Sequence, residues 1–298
     1  MSRRALAGAL LAATALTCGA PTAALAKFPV TVEAANGQVT IAKRPSRVVV
    51  LSPTATETLF AVGAGRQIIA VDDQSTYPSR APRTKLSSYK PNAEAVARYK
   101  PDLVVTSTSS GKLLPALRKL RIPVLLEPAA THIGGAYAQM SQIGAATGHP
   151  GGAERLVAKM KRQIAQIVAG APRGRALSVY HELSPDLYSA SSKTFIGRVY
   201  ALFGLRNIAD QAAKAGNQYP QLSAEYVLAS NPDIVVLSDT KCCRQTAATV
   251  EQRPGWASMA AVTSGRVLAV NDDIASRWGP RIVDFVRIVA RAVRSART

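Results

Sequence analysis

A stretch of fifteen residues occurs twice in this chain, and that duplication restricts the fold more than any other feature. Ala93 to Ser107 reads AEAVARYKPDLVVTS, and Ala224 to Ser238 reads AEYVLASNPDIVVLS. Eight positions are identical with no gap. The offset of about 130 residues is far longer than any solenoid period. Each copy predicts a short helix opened by a Glu, a Pro-Asp turn, and a buried apolar strand ending in Ser. Two copies of one helix-turn-strand unit imply two similar lobes.

The segments around the copies extend that reading. Alternating residues on either side of Asn36-Gly37 predict a hairpin over Phe28 to Ile41. Val48 to Leu51, Ile68 to Val71, Leu103 to Thr106 and Val124 to Leu126 read as buried strands separated by helical stretches. Such alternation favours parallel sheets flanked by helices. The pattern restarts with strands at Ala176 to Tyr180, Ile234 to Leu237 and Arg266 to Val270, and closes on a helix over Pro280 to Val293. Between the halves, Ala153 to Val168 places Leu156, Met160, Ile164 and Ile167 at helical spacing, bounded by Gly and Pro clusters. The expected fold class is therefore α/β, with two similar lobes of parallel-type sheets bridged by one long α-helix. Its segments are a leader over 1–26, a lobe over 27–150, the bridge over 151–171 and a lobe over 172–298.

The leader is read from Arg3 and Arg4, the apolar run Ala5 to Leu16, and the A-x-A pattern Ala24-Leu25-Ala26, which together form a secretory signal peptide. Leu16-Thr17-Cys18 lacks a small residue before the Cys, and lipidation of Cys18 stays open. Export to the periplasm or the outer face of the membrane follows. Residues 1–26 hold two Arg and no acid, so the remainder carries +17 of the chain's +19. Export and an aromatic content of only 5%, with dispersed basic residues, argue against nucleic acid. Basic charge then suits an anionic ligand, an anionic surface or polymer, or solubility alone. Beyond the leader the cysteines are Cys242 and Cys243, which can close as a vicinal disulfide or stay reduced; no second pair or nearby His makes them a metal site.

In parallel α/β sheets, ligands bind beyond the carboxyl ends of the strands. Those ends supply Ser52, Tyr77, Ser107 and His181 as candidates, with Arg277, Trp278 and Arg281 at the start of the last helix, able to clamp a carboxylate or stack on a planar ligand. Enzyme motifs are missing: there is no G-x-S-x-G elbow, Walker A loop or H-E-x-x-H. His181-Glu182 is the one pair that a secreted α/β enzyme could use as base or metal ligand. No cofactor is expected.

Arg47-Val48-Val49-Val50-Leu51-Ser52-Pro53, followed by Thr56-Glu57 and Gly63, resembles the opening of the substrate-binding proteins of ABC importers for cobalamin and ferric siderophores. The Asn-Gly hairpin, Tyr77-Pro78, Glu94 with Pro101-Asp102, Glu225 with Pro232-Asp233, and Ser192 to Gly197 match in order and spacing over about residues 28 to 293. The resemblance implies a monomer with a shallow cleft between two α/β lobes. It also implies one surface Glu on each lobe, here Glu94 and Glu225, docking onto Arg pockets of a membrane permease. A loop that contacts cobalamin through Trp in the family carries Tyr89 here. The implied ligand is an iron complex of the siderophore class or a corrinoid, with Arg277 and Arg281 suiting an anionic ferric chelate.

Overall fold

The computed structural model describes residues 27–109, 111–172 and 177–296. The expected signal peptide and Cys18 lie outside those residues. The described chain opens with the hairpin β1 (Val30–Ala34) and β2 (Gly37–Ile41). Its turn falls on Ala35-Asn36, and Gly37 at φ 92° is already paired with Ala34. Asn36 serves a different purpose from the one its Asn-Gly sequence suggests. Its amide donates to Val124 O at 2.9 Å and its carbonyl oxygen accepts from Leu126 N at 3.1 Å, which fastens the hairpin to a sheet edge.

That sheet comprises β3 (Val48–Leu51), β4 (Ile68–Val71), β5 (Leu103–Thr106) and β6 (Val124–Leu126), all parallel, in the order β4-β3-β5-β6. Its helices are α1 (Pro53–Val62), α2 (Ala93–Ala97), α3 (Leu113–Lys119) and α4 (Ile133–Ala146). The strands are apolar without alternation because both faces are covered. Val48, Val50, Leu103 and Val105 pack towards α1 and α4, whereas Val49, Leu51 and Val104 pack towards Val96 of α2 and Leu113 and Leu117 of α3.

α5 (Pro150–Ala169) is 20 residues long, about 30 Å. It packs against α1 and α4 on one side and the last helix of the chain on the other. Gly152 allows its first turn to meet α1: a Cβ there would lie 2.0 Å from Val62 O. The second half forms β7 (Ser178–Glu182), β8 (Arg206–Asn207), β9 (Ile234–Leu237) and β10 (Val267–Ala269), parallel in the order β8-β7-β9-β10. With it run α6 (Phe195–Ala201), α7 (Ala224–Ser230), α8 (Thr240–Cys243), α9 (Ala247–Glu251), α10 (Ala260–Thr263), α11 (Asp272–Ala275) and α12 (Ile282–Ser295). Cys242 and Cys243 form a vicinal disulfide in α8.

Within each half the strand order is second, first, third, fourth, so the two lobes share one topology. The duplicated stretch supplies α2 with β5 and α7 with β9, in each case the third strand and the helix before it. The recurrence of Pro-Asp has a physical cause. Asp102 accepts from Ser46 N at 2.8 Å, Ser46 Oγ at 3.0 Å and Arg47 N at 2.9 Å, just ahead of β3. Asp233 accepts from Ser178 N and Ser178 Oγ, both at 2.8 Å, at the first residue of β7. Each carboxylate thus fixes the start of the neighbouring central strand and sets its register.

Candidate ligand cleft

The carboxyl ends of the two sheets meet across the lobes. Ser52, directly after β3, caps α1 by accepting from Ala55 N at 3.3 Å. Every residue of α1 from Thr54 to Leu59 is buried, Glu57 included. A carboxylate in that position requires compensation, because an unpaired buried charge is very costly. The partners come from the other lobe, in the segment leading into α12. Arg281 grips Glu57 through Nε at 2.8 Å and Nη2 at 2.6 Å, while Arg277 Nη1 reaches it at 2.9 Å. Arg277 also donates through Nη2 to Asp273 at 2.7 Å and to Gln74 O, beyond β4, at 3.1 Å. Beside them, Trp278 Nε1 donates to Gln139 of α4 at 2.8 Å, and the Arg281 guanidinium lies 4.3 Å above the Tyr77 ring.

The expected triad Arg277, Trp278 and Arg281 is therefore brought together, and its bonds join the lobes. A cavity of about 10 Å³ adjoins this clasp, lined by Ser52, Thr54, Thr58, Glu127, Gln139 and Trp278 among others. Glu127 lies just past β6 with Oε1 buried and without a hydrogen-bond partner. Burial pushes its carboxyl up to about 8.

Tyr77 and Tyr89, on loops beyond β4, are exposed, and Ser107 follows β5 at intermediate burial. His181 is elsewhere. The strand expected to end at Tyr180 continues to Glu182, which places His181 wholly inside the second lobe. Its Nδ1 lies 2.6 Å from Tyr200 OH and its Nε2 3.0 Å from Ser238 Oγ. Ser238 gives its one hydrogen to Glu182 O at 2.9 Å. Nε2 must then donate to Ser238, and Nδ1 accepts from Tyr200. The ring is satisfied while neutral, and burial lowers its pKa to about 3. Glu182 points to the opposite face of β7, held by Arg253 at 2.6 and 2.7 Å and by Tyr180 OH at 3.0 Å. Strand alternation separates the two side chains, so they do not form one acid-base site.

Three residues of this region escape a sequence reading. Glu57 carries the clasp, and its signal was an acid on a helix whose other first-turn residues suit a buried face. Tyr188 and Tyr219 leave the second lobe on loops after β7 and β8 and are 44% and 48% exposed, against 48% for Tyr77. The exposed tyrosines therefore come from the same ends of both sheets. A separate groove of about 640 Å³, between β2 and the α3–β6 segment, lies at the opposite end of the first lobe's strands.

A family model described as periplasmic binding protein matches residues 48–274. The chain belongs to that family. This periplasmic binding protein is 33% identical to the ABC transporter substrate-binding lipoprotein YvrC of Bacillus subtilis, covering 89% of the chain and 86% of the relative. It is 32% identical to a cobalamin-binding protein of Halobacterium salinarum, covering 98% of the chain and 85% of the relative. Among solved structures, a possible iron-binding periplasmic solute-binding protein of Staphylococcus epidermidis superposes with a TM-score of 0.72 at 26% identity, over 84% of this chain and 99% of that one. The vitamin B12-binding protein BtuF of Vibrio cholerae shares the fold, with a TM-score of 0.70 at 22% identity, over 85% and 98% of the two chains. Substrate binding for an ABC transporter is thus the general role of this binding protein, and its two-lobed α/β architecture is that of its relatives. No described helix is long and apolar enough to cross a membrane.

Proposed function

We propose that this chain captures a corrinoid of the cobalamin type between its lobes, outside the cytoplasm, and delivers it to an ABC permease. The lobes extend over 27–150 and 172–298, with 151–171 as the bridge. The observation that carries the ligand class is that the arginine pair is already engaged within the protein. Arg277 and Arg281 are the cations that would favour an anionic ferric chelate, and both are bound to Glu57. In this reading the groups left to meet a ligand are phenol, hydroxyl and indole: Tyr77, Tyr89, Ser107 and Trp278, together with Tyr188 and Tyr219 of the second lobe. Such a surface suits a large planar ligand with amide side chains and no net charge. The cobalamin-binding relative from Halobacterium, aligned over 98% of the chain, supports the same class.

Delivery is assigned to Glu94 and Glu225. Each is the second residue of its helix, at the same place in the two lobe topologies, and each is exposed. Its own backbone N–H, together with the Ser223 hydroxyl, holds the Glu225 carboxyl below its usual range. A carboxylate on each lobe can pair bidentately with a permease guanidinium and so register both lobes at once. Titration of the purified chain with cyanocobalamin tests the ligand assignment: tight, saturable, one-to-one binding supports it, and no binding removes it.

A further inference from the structure

We infer that the vicinal disulfide Cys242–Cys243 is a ligand contact: a rigid, uncharged sulfur platform on the second lobe's side of the cleft, against which an apolar or π face of the ligand rests. The inference rests on the cleft between the lobes being the ligand site, as proposed above.

The pair lies where the fold gathers ligand-facing loops. α8 begins just past the carboxyl end of β9, the end of a parallel strand at which α/β sheets bind their ligands. Asp272, in the first turn of α11, holds α8 in place. Its Oδ1 accepts from Lys241 N at 2.9 Å and Thr240 Oγ1 at 3.0 Å, and its Oδ2 from Cys242 N at 3.0 Å. Lys241 Nζ reaches Asp273 at 3.1 Å, and Asp273 also takes Arg277, which is bound to Glu57 of the first lobe. The turn that carries the disulfide is thus tied to the contact between the lobes. Cys242 is exposed there and Cys243 half-buried.

The polar groups of the turn are already in use. Besides the two amides on Asp272, Cys243 N donates to Asp239 O at 3.1 Å, and the Lys241 ammonium is on Asp273. The cysteines therefore present sulfur and methylene rather than hydrogen-bond donors. Divalent sulfur is polarisable and packs well against rings. Joined to each other, the two side chains also have no rotamer freedom left to lose when a ligand settles on them. A bracing role is a poor alternative explanation. Disulfides stabilise chiefly by closing long loops in the unfolded chain, and this one joins adjacent residues. Tyr188 and Tyr219, the exposed tyrosines of the same lobe, stand beyond the ends of β7 and β8. Sulfur and phenol together suit the flat, alkylated periphery of an uncharged macrocycle and offer no counter-charge to an anionic chelate.

The test measures how fast dithiothreitol opens the disulfide in the mature chain, alone and with saturating cyanocobalamin. Freed thiols are trapped with iodoacetamide and counted by mass, and Trp fluorescence reports cyanocobalamin binding. Saturation should slow reduction by about tenfold or more, because a ligand face on the sulfurs blocks the approach of the attacking thiolate. A rate within about twofold of that of the ligand-free chain overturns the inference. A disulfide that only braced α8 would show itself in Tm and give no such protection. In a second arm, Cys242→Ser/Cys243→Ser should bind cyanocobalamin about fivefold or more weakly, and affinity within about twofold of the unaltered chain also overturns the inference. Should that variant not fold, protection in the unaltered chain decides by itself. Binding of cyanocobalamin without protection removes this inference alone, whereas no binding at all removes the ligand proposal and this inference with it.

Discussion

Glu127 and His181 are buried groups that titrate in opposite senses, and each gives a measurable dependence of stability on pH. Glu127 keeps its proton in the fold up to about 8, whereas in the unfolded chain it ionises near the ordinary 4.5. Its stabilising contribution is complete below that lower value and is lost as pH rises through 8. Glu127→Gln should therefore gain on the unaltered chain as pH climbs from 5 to 9, and a Tm difference that stays flat across this range contradicts the assignment. His181 works the other way. Its folded pKa of about 3 lies below the ordinary 6.5, so stability is complete above 6.5 and falls as acid protonates the unfolded chain first. The loss is about 1.4 kcal/mol per pH unit between those values. In urea titrations at pH 6 and 4.5, His181→Gln should show a shallower decline than the unaltered chain; equal declines would mean that the ring is not buried neutral. The sequence offered His181, at a strand end, as a ligand-binding residue or as a base beside Glu182. Both His181 and Glu182 are buried, on opposite faces of β7, and the groups that satisfy them, Tyr200, Ser238 and Arg253, are remote in sequence.

At the scale of elements, the duplicated unit explains itself twice over. Its Val-Val strand is the buried third strand of each sheet, and its Asp anchors the strand beside it. Asp102→Ala and Asp233→Ala should each lower stability by about 1–3 kcal/mol, because the backbone amides they accept from are left unmatched. Loss below about 0.5 kcal/mol in chemical denaturation would show that the register is fixed by apolar packing alone. Its Glu residues make no comparable contribution to the fold. Charge reversal at Glu94 together with Glu225 should leave ligand affinity intact while transport into cells or permease-bearing vesicles stops; undiminished transport would end the docking proposal. The central strands were legible as short unbroken apolar runs and the longer helices by their apolar spacing, whereas the short helices α8 to α11 were not read. Nor was β8, since two residues carry no period, and the hairpin turn was misplaced by one residue because Asn36 answers to β6 rather than to its own turn.

Seen as a whole molecule, the chain is two copies of one topology held by α5 and by an ion cluster at the mouth between them. The two-lobed plan was readable from the duplication alone. The cleft was only half readable: its loops follow from the strand ends, but the pairing of Glu57 with residues some 220 positions later is purely tertiary. That pairing qualifies the chain's basic character, since Arg277 and Arg281 are both engaged by Glu57, and Asp273 is shared between Arg277 and Lys241. The most direct test is a titration of the mature chain with cyanocobalamin beside ferric tris(catecholate) and hemin, read by Trp fluorescence. Saturable one-to-one binding of cyanocobalamin, with both anions weaker by about tenfold or more, is the expected result. Tighter binding of either anion than of cyanocobalamin would contradict it.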